Sequence, residues 1–131
     1  MAIWQTHFNL VSTSGTINFD KLITSGLVKQ FPETESWSSD NHCFGCIDKT
    51  CIEIFVLEAV VDEISVKIDV SNISKEELEC IVKFAVDNDL QLLFKNQYYN
   101  LSVDNIVKII RLSDAFRFVK NPRDFLDNLG N

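Results

Sequence analysis

Apolar and polar side chains alternate from the start of the chain. Trp4, Thr6, Phe8 and Leu10 interleave with Gln5, His7 and Asn9, the period-two pattern of a half-buried strand. The stretch 12–15, Ser-Thr-Ser-Gly, closes it with turn chemistry. Asn18 is placed to cap a short helix through Ile23 that stops near Gly26. No period is visible over residues 32–50, which are rich in Ser, Asp and Asn. They read as a long surface loop, a kind of segment more often functional than inert. Residues 52–61 read as a long strand and 64–70 as a second. Ile64, Val66, Ile68 and Val70 oppose Ser65, Lys67 and Asp69. Asp62-Glu63 between the two strands is too short for a helix, so the strands should form a hairpin with its tip there or one bulged strand pair.

Two helices announce themselves in the same way. Ser74 followed by Glu77 makes a capping box, with Ile73 and Leu78 at the staple positions. That helix runs to about Asp89, with Leu78, Ile81, Val82, Ala85 and Val86 as its apolar stripe. Residues 90–94 form a short strand, and Lys95-Asn96-Gln97 turns it toward Tyr98-Tyr99. Ser102 then caps a second helix, with Leu101 and Ile106 as staple and Val103, Ile106, Val107 and Ile110 on its apolar face. Asn121-Pro122 begins a last short helix packed by Phe125, Leu126 and Leu129. The expectation is α+β: a single domain over residues 1–131, with a mainly antiparallel sheet, two principal helices on one face and a short C-terminal helix.

Composition changes this picture little and charge changes it more. The chain has 131 residues, 46% hydrophobic and 24% charged, with ten Phe to fill a core. No apolar run approaches a membrane span, and the first residues lack a basic and then apolar leader pattern. A cytoplasmic location with four reduced cysteines is therefore expected. The net charge is −7. Residues 33–89 hold fourteen acids against four lysines, −10 in all, while both flanks are slightly positive. Such a field repels phosphate backbones and attracts basic proteins, so neither nucleic acid nor membrane is an expected partner.

Candidate chemistry centres on residues 42–51. His42, Cys43, Cys46 and Cys51 supply four donors of the kind that hold zinc, and a C-x-x-C pair can also act as a dithiol. Against metal, zinc sites usually use two well-separated pairs, and adjacent His42 and Cys43 would have to bend sharply to share one ion. Against redox chemistry, no βαβ unit precedes the pair. The preferred expectation is reduced thiols in a loop and no cofactor. Cys80 reads as a packing residue of its helix. The glycines are too dispersed for a phosphate or dinucleotide loop, and no nucleophile–base pair is identifiable.

The resulting expectation is a non-enzymatic acidic protein that docks a basic protein partner through Glu33, Glu35, Trp37 and Asp40. The tryptophan would act as a desolvated anchor. The alternative is a metal- or thiol-dependent protein built on the 42–51 cluster. In size, acidity and α+β build the chain resembles the small immunity proteins with which bacteria neutralise toxins. That resemblance implies an acidic surface covering a toxin's basic cleft.

Overall fold

The computed structural model describes residues 4–34 and 40–118. Its frame is one antiparallel sheet of seven strands in the order β2-β3-β4-β5-β1-β6-β7. In chain order the elements are β1 (Gln5–Ser12), a 3-10 turn (Phe19–Lys21), α1 (Leu27–Gln30), β2 (Glu33–Thr34), β3 (Asn41–Gly45), β4 (Cys51–Leu57) and β5 (Val60–Asp69). Then come α2 (Lys75–Asp87), β6 (Leu90–Phe94), β7 (Gln97–Tyr99), α3 (Val103–Leu112) and α4 (Ala115–Phe118). The fold is α+β, as the sequence pattern predicts. The last helix predicted, from Asn121, falls outside the described residues.

Register explains where the core lies. Leu10, Ile64, Ile54 and His42 are partners across four strands, as are Phe8, Val66, Ile52 and Phe44. These rows point to one face because partnered residues share a side of the pleat. There they join Leu78, Ile81, Phe84 and Ala85 of α2 and Ile106, Val107, Ile109 and Ile110 of α3 in one buried cluster. Helix α2 packs on β6 and on α3. Ser74 caps α2 by accepting the Glu77 amide at 3.3 Å, and Ser102 caps α3 by accepting the Asn105 amide at 3.0 Å. The Ser74 hydroxyl also donates to Glu76 Oε2 at 3.0 Å.

Four expectations need correction. Residues 32–50 are not one loop, for β2 and β3 run through them and pair with each other and with β4. β3 shows no amphipathic period because Asn41, Cys43 and Phe44 are all buried although they point to both sides of the sheet. The hairpin turn is at Glu58-Ala59, not Asp62-Glu63: Glu58 has φ 52° and Ala59 φ 67°, the left-handed pair that a twisted two-residue hairpin demands. Neither residue type advertises that conformation. Gly26 does not end a helix but precedes α1, while Asn18 caps only the 3-10 turn. The α2 stripe includes Phe84, and Val86 stands 56% exposed. Spacing of three and four residues from Leu78 leads to Ile81, Phe84 and Ala85; Val86 lies about 100° further round.

Candidate functional site

The acidic residues collect at the end of the sheet where β4 turns into β5. Three backbone hydrogen bonds bring this about. Val56 N–H donates to the Asp40 carbonyl (2.8 Å), Phe19 N–H to Ala59 (2.9 Å) and Val61 N–H to Ile17 (2.8 Å). They place Asp20 and Asp40 at the same end of the sheet as Glu58, Asp62 and Glu63, and all five are exposed. Leu57, 64% exposed, stands next to Glu58 at the hairpin tip. This end also contains a cleft. β1 pairs with β5 only as far as Leu10–Ile64, while on its other edge Asn9 to Ser12 pair with β6, which leaves a gap beside Val11 and Ser12 on the β5 side. The loop from Gly15 to Ile17 returns over the gap and leaves a cleft of about 530 Å³. Its polar lining comes from Asn9, Ser12, Thr16, Asp62 and Glu63. The Asn9 amide donates to Glu63 Oε1 at 3.0 Å, which holds that carboxylate in the cleft wall.

The docking residues expected from sequence divide. Asp40 is part of this end. Glu33 sits on β2, where its Oε2 lies 3.0 Å from His42 Nδ1, and the His42 ring stacks on Phe19 with centroids 4.3 Å apart. Glu33 is thus tied to the segment carrying Asp20. Glu35 and Trp37 lie outside the described residues. The sequence pattern assigns Asp62 and Glu63 to a turn and does not single out Asp20. No local pattern marks them, because their gathering depends on pairing between residues about forty positions apart.

The expected 42–51 cluster is split by the pleat. His42 lies in the row of Ile54 and Ile64 on the helix-bearing face. Cys46 is exposed in the loop beyond β3. Cys43 is the partner of Glu53 and Cys51 the partner of Lys67 and Gly45, which sets both thiols on the opposite face. Among the described residues no group of three or more His, Cys, Asp or Glu side chains is placed to hold a metal ion. Gly45 permits the tight passage between β3 and β4: it has φ 98°, and a Cβ there would meet the Thr50 carbonyl at 2.6 Å.

On that second face the side chains form a polar network rather than an apolar layer. Lys67 Nζ lies 2.8 Å from Glu53 Oε1, and Glu53 is buried. Burial disfavours the Lys67 ammonium, but the hydrogen bond and charge of Glu53 outweigh it, and Lys67 titrates above the usual lysine range. Cys51 is wholly buried and Cys43 is 8% exposed. A hydrogen bond from Cys51 lowers the Cys43 thiol to about 6, against the opposing effect of burial. The same bond, with burial, pushes Cys51 up. The first proton therefore leaves the pair easily and the second is held. His7, on the same face, is exposed. Cys80 is half-buried, its thiol 3.7 Å from the Gly26 carbonyl, as suits a packing residue. No helix among the described residues is long and apolar enough to cross a membrane.

Comparison with known protein families, curated proteins and solved structures finds no match to this chain.

Proposed function

We propose that this chain is a non-enzymatic binding protein that docks a basic protein partner, with the acidic end of the sheet as its docking surface. The observation carrying the reading is that exposed Asp20, Asp40 and Glu58, with Leu57, lie at the end of the sheet where Asp62 and Glu63 line a cleft of about 530 Å³. A lysine or arginine side chain entering that cleft would meet the Asp62 and Glu63 carboxylates and the Ser12 and Thr16 hydroxyls. Guanidinium and ammonium groups are donors only, so this set of acceptors suits them. Glu33 and the segment bearing Glu35 and Trp37 adjoin this end in sequence, and Trp37 is the proposed anchor. The setting is a reducing cytoplasm, and the inhibitory manner of an immunity protein is one form such docking takes.

The test is capture from the native host with the wild type and with Asp40→Lys/Glu58→Lys/Asp62→Lys in parallel, followed by stopped-flow kinetics on the captured partner. Screening shortens the field to about 8 Å at physiological ionic strength, so association should slow steeply with salt. The triple reversal should slow association by roughly tenfold or more. A partner whose rates ignore these three acids, or that binds through residues 108–123, would sink the reading.

A further inference from the structure

We infer that Cys43 and Cys51 form a site of reversible oxidation, joined as a disulfide across β3 and β4 by reaction with a low-molecular-weight disulfide such as oxidised glutathione. The sequence offers Cys43 and Cys46 as the pair, but the sheet offers a different one. Cys46 lies beyond the end of β3 and is exposed, whereas Cys43 and Cys51 share a face as diagonal neighbours, Cys43 opposite Glu53 and Cys51 two residues before it. Each thiol is the largest influence on the other's titration, as two sulfurs lying close together on one face would be. No disulfide holds either cysteine in the reduced protein.

The diagonal placement is the reason the bond would be reversible. Diagonal neighbours across an antiparallel pair have Cα atoms about 7–8 Å apart, beyond the roughly 7 Å that a disulfide spans with the backbone at rest, so closing the bond must draw β3 and β4 together. A bond formed there carries strain, and strained disulfides are the readily reduced ones. What favours the attacking form at Cys43 is its neighbour Cys51; of the charges facing the pair, Glu53 opposes the thiolate and Lys67, 2.8 Å from Glu53, offsets part of that opposition.

The chemistry balances as follows. Cys43 thiolate attacks one sulfur of the small disulfide; its S–S bond breaks, and one glutathione leaves as thiolate and takes the proton that Cys43 gave up. The mixed disulfide on Cys43 is then attacked by the Cys51 sulfur, which loses its proton as it bonds. The second glutathione departs with that proton. Two cysteine thiols lose two electrons and one disulfide becomes two thiols.

The test uses the full chain equilibrated in mixtures of reduced and oxidised glutathione, alkylated, digested and mapped by mass. The expected product is a Cys43–Cys51 cross-link, lighter by two hydrogens and reversed by reductant, with Cys46 and Cys80 not in any internal link. Cys46→Ser, a change at an exposed loop position, should keep the cross-link, and Cys43→Ser should abolish it. In the unmodified reduced protein, alkylation of Cys43 should be half-maximal near pH 6. A Cys43–Cys46 link, or glutathione retained on Cys43 with no internal bond, would overturn the inference. So would Cys43 alkylation that begins only in the ordinary thiol range, about 8.5.

Discussion

Removing the Lys67 charge should strand a buried carboxylate, and the size of the effect can be worked from the structure. Lys67→Met keeps most of the aliphatic stem and deletes the ammonium 2.8 Å from Glu53, whose side chain is 6% exposed. Breaking a fully buried pair costs about 3–5 kcal/mol. Two features reduce that here. The Lys67 side chain is 18% exposed, so water can reach part of the vacated space. A stranded carboxylate can also bind a proton, which for an ordinary glutamate at pH 7 costs about 3.7 kcal/mol and so caps the loss. The expected destabilisation is therefore about 2–3 kcal/mol at pH 7, roughly 10 °C in Tm for a chain of this size. The cap falls by about 1.4 kcal/mol for each unit of pH, so the loss should shrink to about 1 kcal/mol or less at pH 5. Urea denaturation of wild type, Lys67→Met, Glu53→Gln and the double variant at both pH values measures each term. The double variant should be more stable than the sum of the single losses implies, by about 1 kcal/mol or more. Additive losses, or a Lys67→Met loss under about 0.5 kcal/mol at both pH values, would refute the pairing.

Two further predictions probe places where local sequence and structure part company. Ala59 has φ 67°, so Ala59→Gly should stabilise the chain by up to about 1 kcal/mol in urea denaturation; a loss would mean the hairpin turns elsewhere. Glu77 is partly buried and faces Asp69, and burial first, then that like charge, push its carboxyl above the usual glutamate value. The folded state therefore binds the proton more tightly than the unfolded one. Its contribution to stability is present below about pH 4.3 and lost as pH rises through the raised value. Glu77→Gln should consequently gain stability at pH 7 and little at pH 4, and an equal effect at both would contradict this assignment.

Both principal helices were legible in place and in their caps, though Phe84 and Ile109 are buried beyond the expected stripes and Val86 is exposed. Their signals are local: Ser74 and Ser102 accept amides three positions on, and Ile106, Val107 and Ile110 are buried together because helical spacing puts them on one face. β1, β6 and β7 were legible for the same reason, since each has one buried and one more open side, or a turn residue such as Asn96 that tolerates positive φ. What failed was β3, whose neighbours in the sheet bury residues on both faces and erase the alternation that a half-exposed strand displays. The β4–β5 turn failed because Glu58-Ala59 carries no glycine or asparagine. The acidity of residues 33–89 was a property of composition alone. That Asp20 and Asp40 share one end of the sheet with Glu58, Asp62 and Glu63 was decided by strand order and register. The cysteines show the division most plainly. Nearness along the chain paired Cys43 with Cys46, while the pleat, which alternates faces every residue, turned His42 to the helix-bearing face and set Cys43 on the same side as Cys51.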